Sequence, residues 1–209
     1  MTHVRRLPSQ ARSEAKVARM LEVAQRIITT DGAEAATTTR IAAEADVSVG
    51  TIYRFFASRE GLLNVLVGRE LDELDRRLAA ADYSLGGADW AERADAGADV
   101  MIEFADDPGL AFRTLMYTST LTGEIAATNR EHDLRMAHHL ISGLPQRALD
   151  AMQPSPLAVM HLYLGILDKG MELAFFRPGH RDDAIIAEMK LAARTFLAQY
   201  LDAADRPAR

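Results

Sequence analysis

The sequence predicts an all-α protein, and three observations support this fold class. Apolar residues recur at helical spacing in one segment after another along the 209-residue chain. No segment alternates apolar and polar residues for long enough to form a sheet. The breaks between the periodic segments are short and rich in Gly, Pro and Asp, as expected for turns between helices.

The first 60 residues predict three helices. An amphipathic helix over residues 15–30 ends at the break Asp31-Gly32. Two short segments follow, with apolar residues at Ile41, Ala42 and Ala45 and then at Ile52 and Phe56. Ser48 is placed to cap the second of these helices, and Val47 fills the turn between them.

Two helices joined this tightly cannot lie antiparallel, so they cross steeply, as in a helix-turn-helix. The exposed face of the second helix then carries Val49, Gly50, Thr51, Tyr53 and Arg54. Small residues at its start allow close approach to base edges, while Tyr53 and Arg54 can reach phosphates or bases. The pattern therefore predicts a surface that reads double-stranded DNA.

Residues 14–66, including the first helix, the break at Asp31-Gly32 and the run from Thr51 to Leu63, resemble the N-terminal domain of the tetracycline-repressor (TetR) family of bacterial transcription regulators. The resemblance implies that the second short helix sits in the major groove and that Arg59, just after the N-cap Ser58, lies near the DNA backbone. Two positions depart from the family pattern. Asp46 stands where the turn usually has Gly, and Phe55 stands where a polar residue or His is common.

From this reasoning we assign roles to the candidate DNA-binding residues. The phosphate-contacting group comprises Thr39, Arg40, Ser48, Tyr53 and Arg59. The group facing base edges comprises Val49, Gly50, Thr51 and Arg54.

Charge distribution agrees with a DNA-binding N-terminal domain. The whole chain has a formal net charge of −6. Residues 1–60 carry nine basic and seven acidic side chains, which gives that part +2 and the remainder −8. The local basic surface matters for phosphate binding more than the average over the chain.

The rest of the chain predicts further helices. They span about 60–81, 90–105, 110–119, 123–152, 156–177 and 182–204, with a glycine-containing loop at 83–89. Gly143 and Pro145 are expected to bend or interrupt the fourth of them. We place a domain boundary at residue 60, between a helix-turn-helix domain (1–60) and a larger helical ligand-binding and dimerisation domain (61–209).

The last two helices indicate a homodimer. Residues 157–176 are apolar on all sides, and a helix of this kind must be covered on all sides. A four-helix bundle built from this pair in each of two subunits would supply the cover, although a wholly internal hairpin is the alternative. A helix-turn-helix dimer would read the two half-sites of a palindromic operator.

The middle helices are candidates for a small-molecule pocket, because the resemblance implies one there whose ligand shifts the spacing of the two DNA-reading heads. The candidate lining residues are Phe104, Phe112, Met116, Tyr117, His138, Tyr163, Asp168, Met171 and Phe175. Aromatic and Met side chains suit an adaptable apolar pocket, but at helical spacing they also suit a plain core. Asp168 stands in an apolar helix, where it either binds a cationic group or forms an exposed ion pair near Lys169 and Glu172.

Catalysis, a metal site and a membrane span are not expected. The chain has no cysteine, and no phosphate-binding Gly loop, G-x-S-x-G or H-E-x-x-H motif. His132 and His138 are six residues apart, which is not the i, i+4 spacing of a helical metal site. With no apolar run of membrane length and no hydrophobic signal region, a cytoplasmic location is expected.

The sequence thus predicts a non-enzymatic, homodimeric transcription regulator that needs no cofactor, most simply a repressor released by a small, largely apolar ligand. Two alternatives stay open: control by a protein partner, or no effector at all.

Overall fold

The computed structural model describes residues 8–84, 89–118, 123–177 and 179–205, and within these ranges the chain is helical with no β-strand. The helices are α1 (Pro8–Asp31), α2 (Thr38–Glu44), α3 (Val49–Phe55), α4 (Arg59–Ser84), α5 (Trp90–Asp106), α6 (Gly123–Ser142), α7 (Gln146–Ala151), α8 (Pro156–Phe175) and α9 (Asp183–Asp205). A 3₁₀ turn (Ala33–Ala35) follows α1, and a π-helical turn (Thr114–Thr118) follows α5. The predicted all-α class is confirmed.

The N-terminal helices enclose a small apolar core. Met20 and Ala24 of α1, Ile41 of α2, Ile52 of α3 and Leu62 of α4 are fully buried. Helix α1 begins at Pro8, seven residues before the predicted start at residue 15. Proline is favoured in the first turn of a helix, where its missing N–H costs nothing, and the polar residues that follow it show no apolar periodicity.

Helix α4 runs without a break from the N-terminal core into the C-terminal part of the protein. Leu62 and Leu66 pack in the N-terminal core, and Leu71 and Leu74 pack further along. A 26-residue helix of this kind links the two parts more rigidly than a loop would.

A turn after α5 is bonded to both α1 and α4, and we call it the 107–111 turn. The side-chain amide of Gln25 donates to the carbonyl of Gly109 at 2.5 Å. The backbone N–H of Ala111 donates to the buried carboxylate of Glu70 at 2.8 Å, and Arg77 bonds Asp107 at 2.9 Å. The turn therefore connects α4 to the first helix of the protein.

Two predicted helices differ from the structure. The helix expected over 123–152 is split into α6 and α7 by the residues around Gly143 and Pro145, the interruption that these residues predict. The segment expected as an α-helix over 110–119 contains the π-helical turn Thr114–Thr118, whose wider repeat is hard to distinguish from an α-helix by apolar spacing. Tyr83 and Ser84, expected at the start of the 83–89 loop, are instead the last residues of α4, and residues 85–88 lie outside the described ranges.

Helices α8 and α9 pack closely against each other. Ser155 caps α8 by accepting a hydrogen bond from the N–H of Ala158 at 3.2 Å. Gly170 of α8 is buried, and a Cβ added there would collide with the side chain of Met189 on α9. The close approach of these two helices therefore depends on a residue without a side chain.

Among the described residues, no helix has both the length and the apolar content of a membrane span.

Candidate nucleic-acid interface and internal cavity

Helices α2 and α3 are each capped by a side chain at the N-terminus. The Thr37 hydroxyl accepts a hydrogen bond from the N–H of Arg40 at 3.2 Å, and the Ser48 hydroxyl accepts one from the N–H of Thr51 at 3.1 Å. Between them Asp46 has a φ of 56°, the left-handed backbone that Asp tolerates better than most residues. The predicted cap and turn are both confirmed, and they fix the angle between the two helices.

The outer side of α3 is exposed and contains both small and large side chains. Tyr53 is 54% exposed, and Gly50 and Arg54 are also exposed. The guanidinium of Arg54 lies 4.8 Å from the ring centre of Phe55. Val49 and Thr51 are half-buried, and the Thr51 hydroxyl is hydrogen-bonded to that of Ser48 at 2.9 Å. At Gly50 no side chain would keep the α3 backbone away from DNA, and the neighbouring Tyr53 and Arg54 are able to contact bases and phosphates.

Arg40, one of the two predicted basic phosphate contacts, already has protein partners. It bonds Glu44 at 2.8 Å and Asp31 at 2.5 Å, and the hydrogen bond with Glu44 raises its pKa further above the ordinary value. This arginine holds α2 against the end of α1, next to the exposed Thr39.

The second, Arg59, donates to the backbone carbonyls of Ala36 at 2.9 Å and Ala33 at 2.5 Å. Its guanidinium also lies 3.6 Å from Glu60. Arg59 therefore fastens the start of α4 to the 3₁₀ turn.

A small cavity of about 30 Å³ lies between α4, α5, the π-helical turn, α6 and α8. Its lining residues are Leu71, Leu74, Met101, Phe104, Phe112, Tyr117, Asn129, His132, Asp133, Leu164 and Asp168. Four of the nine predicted pocket residues are among them: Phe104, Phe112, Tyr117 and Asp168. Met116, Tyr163, Met171 and Phe175 are buried but do not line it, and His138 is exposed.

Sequence reasoning missed the polar residues that α6 contributes to the cavity. Asn129, His132 and Asp133 lie in a helix with many polar side chains, where residue type alone does not show which of them face inward. One weak signal exists. His132 shares one side of the helix with Thr128 and Met136, but the sequence does not show that this side packs against α8.

Aromatic rings form a continuous wall beside the cavity. Phe104 and Phe112 meet edge to face at 5.1 Å between ring centres, and Phe112 meets Tyr117 in the same manner at 5.8 Å. Tyr117 stacks on Phe175 at 6.4 Å. Phe112 directly follows the 107–111 turn in the chain. A shift of this aromatic wall would therefore also move the turn, which is hydrogen-bonded to α1 and α4.

The polar side of the cavity contains one histidine and several carboxylates. Nε2 of His132 lies 2.8 Å from Asp75, and Nδ1 lies 3.8 Å from Asp133. Burial lowers the pKa of His132, but its hydrogen bonds with Asp133 and Asp75 outweigh this and leave the pKa above its ordinary value. Burial raises the pKa of Asp168 to about 6, and the nearby charge of Asp133 acts in the same direction.

These features define the chain as a helix-turn-helix protein with a small cavity, apolar on one side and polar on the other, in its helical C-terminal part. Residues 20–66 match the family model described as bacterial regulatory proteins, tetR family. The match confirms the resemblance of residues 14–66 to the DNA-binding domain of this family.

Known proteins are similar to this chain in sequence over part of its length or in fold over most of it. Over 80 residues the chain is 38% identical to the HTH-type transcriptional repressor KstR of Mycolicibacterium smegmatis, a match that covers 38% of this chain and 39% of that repressor's length. A TetR-family transcriptional regulator from Streptomyces coelicolor shares the fold at a TM-score of 0.68 and 21% identity, over 89% of this chain and 99% of that one. The multidrug binding protein EbrR, solved with imidazole, does so at a TM-score of 0.64 and 19% identity, over 92% and 97%.

Proposed function

We propose that the protein is a sequence-specific DNA-binding transcription regulator, acting as a repressor that a small molecule releases from its operator. The observation that carries this proposal is the capped α2–α3 pair with the exposed face of α3 around Gly50, Tyr53 and Arg54. We divide the chain as 1–60 for DNA binding and 61–209 for ligand binding and dimerisation, with the boundary in the first turn of α4. A regulator of chromosomal DNA acts in the cytoplasm and needs neither catalysis nor a cofactor.

Exposed apolar side chains support a homodimer formed through α8 and α9. In the isolated chain Leu162 is 56% exposed, Leu173 52%, Phe176 66% and Leu191 50%. They belong to α8, its C-cap and α9. A large exposed apolar surface on a folded domain marks an interaction site, and a two-fold pairing of the same two helices would cover it.

The cavity and the 107–111 turn support control by a ligand. A group entering the cavity would press on Phe112 and on Leu71 and Leu74 of α4. Phe112 is next to Ala111, whose N–H donates a hydrogen bond to Glu70, which is also in α4. Expansion of the cavity would therefore move α4, whose first turn is fastened through Arg59 to the 3₁₀ turn that precedes α2.

The first test is selection of binding sites from randomised duplex DNA at one fixed salt concentration. We expect enrichment of a palindrome, because each subunit of a two-fold dimer would read one half-site. Failure to enrich any sequence with the wild-type protein, alone and with cell-extract small molecules added, would contradict the proposal.

Matched arginine variants distinguish base reading from general charge. Arg54→Ala should weaken binding to the selected site by about 1–3 kcal/mol, the cost of losing a good base contact. Arg130→Ala removes another exposed arginine, from α6, and should change binding little. Equal losses in the two variants would show that α3 does not read the bases.

Dimerisation is tested by sedimentation of two leucine variants. Leu162→Glu places a charge in the proposed interface and should yield monomers with weakened operator binding. Leu134→Glu, at a leucine of α6 that is 38% exposed, should leave the dimer intact. A wild-type protein that sediments as a monomer would contradict this part of the proposal.

A further inference from the structure

We propose that the cavity binds the positively charged head group of an organic amine, with Asp168 as the principal anion. This inference rests on the proposed ligand control and specifies the chemical class of the ligand. The ligand would then have a largely apolar body, as expected from the sequence, with one cationic group.

The charges around the cavity do not balance without such a ligand. His132 lies between Asp75 and Asp133, so one imidazolium is shared by two carboxylates. Lys169 is bound to Glu172 at 2.7 Å and has a largely exposed side chain. Within the described part of the chain, Asp168 forms neither a hydrogen bond nor an ion pair, although it lines the cavity and is mostly buried. A buried carboxylate in this position is stabilised by a cation brought from outside.

A second polar group faces the cavity without a partner. Tyr117 is only 7% exposed and lines the cavity, and no residue of the described ranges forms a hydrogen bond with its hydroxyl. Buried hydroxyl groups almost always have a hydrogen-bond partner. An ammonium group carries several N–H donors, so it can satisfy this hydroxyl oxygen and the Asp168 carboxylate together.

The shape of the cavity fits a small head group rather than a whole ligand. Its volume of about 30 Å³ is the space of a single water-sized group. The rings of Phe104, Phe112 and Tyr117 form the adjoining wall, and aromatic faces attract cations. Met101, a flexible side chain on the same lining, can yield to the apolar body of the ligand.

Titration of Asp168 gives the proposal a pH signature. Asp133, His132 and Glu172 face this carboxylate from α6 and α8, with Lys169 nearby and Tyr117 across the cavity. Burial raises the pKa of Asp168 to about 6 in the empty cavity, with Asp133 and Glu172 adding to the effect and Lys169 opposing it. A bound cation would lower this pKa, so amine binding should weaken as the pH falls below about 6.

The experiment compares 2-phenylethylamine with 2-phenylethanol, two probes of nearly equal size of which only the first is charged. Binding to the full-length protein is measured by calorimetry and by thermal unfolding, without DNA. We expect the amine to bind at least about tenfold tighter than the alcohol near pH 7.5, with the difference shrinking towards pH 5. Asp168→Asn should abolish the difference between the probes, and Tyr117→Phe should reduce it. Glu131→Gln, which removes an exposed charge from α6, should preserve it.

One readout needs no ligand and also checks that the variant folds. Because Asp168→Asn removes an unpaired buried charge, it should raise the melting temperature of the empty protein, and the gain should shrink as the pH is lowered. The proposal is overturned if the two probes bind equally, if neither binds, or if Asp168→Asn leaves the preference for the amine unchanged. Since DNA is absent, these outcomes are independent of whether an operator is found.

Discussion

Replacing Gly50 by alanine should separate the stability of the protein from its ability to bind DNA. Gly50 lies in the first turn of α3 and is exposed. A Cβ added there would meet only Oγ of Ser48, at 3.8 Å, which is an ordinary contact. Since alanine loses less backbone entropy than glycine in a helix, Gly50→Ala should stabilise the protein by about 0.5–1 kcal/mol.

Operator binding should change in the opposite direction. If the start of α3 approaches base edges closely, the added methyl group takes up space that the DNA needs. We expect at least about a tenfold loss of affinity, which corresponds to about 1.4 kcal/mol. Gly68→Ala is the matched control, because Gly68 lies inside α4 and an added Cβ would have no atom within 4 Å.

The two glycine variants are compared by urea unfolding and by titration of a labelled operator at constant salt. Both should unfold at higher urea concentration than the wild type, while only Gly50→Ala should bind the operator weakly. If Gly50→Ala binds as tightly as Gly68→Ala, α3 does not approach the bases through Gly50, and the reasoning is refuted.

Three further substitutions test contacts that the structure shows. Arg59→Ala removes two hydrogen bonds from an arginine to backbone carbonyls and should lower the free energy of unfolding by about 2 kcal/mol in urea titrations; an unchanged midpoint would show that water replaces them. Glu70→Gln should stabilise the protein at neutral pH, because burial raises the pKa of Glu70 to about 7. The ionised carboxylate destabilises the folded protein. This destabilisation is absent below about pH 4, grows up to about pH 7 and reaches at most roughly 3 kcal/mol, so an effect of Glu70→Gln that does not change with pH would refute this explanation. Gly170→Ala forces a Cβ against Met189 and should cost about 1–3 kcal/mol by thermal unfolding, whereas a neutral result would mean that α8 and α9 separate freely.

Local features of the chain were predictable because they depend on neighbouring residues. The cap at Ser48, the turn at Asp46 and the interruption near Pro145 follow from backbone chemistry within a few positions. The start of α1 was not predictable in this way, because the residues after Pro8 are polar and show no apolar periodicity.

The cavity was only partly predictable because its lining comes from five separate segments. Phe112 and Tyr117 are predictable from residue type, but His132 and Asp133 line the cavity only because α6 packs beside α4 and α8. Likewise, no sequence signal showed that Arg40 is bonded within the protein to Asp31 and Glu44. Partners distant in sequence decide whether a charged side chain is free.

Because α4 is one continuous helix, a movement of its cavity end is transmitted to the end next to α2 and α3. From Leu74, in the cavity wall, to Arg59 the helix rises about 23 Å at 1.5 Å per residue. A tilt of about 8° at the cavity end therefore carries Arg59 about 3 Å, close to the rise of one base pair along B-DNA. In the mechanism proposed above, a displacement smaller than a side chain inside the protein would thus be enough to move α3 out of register with its half-site.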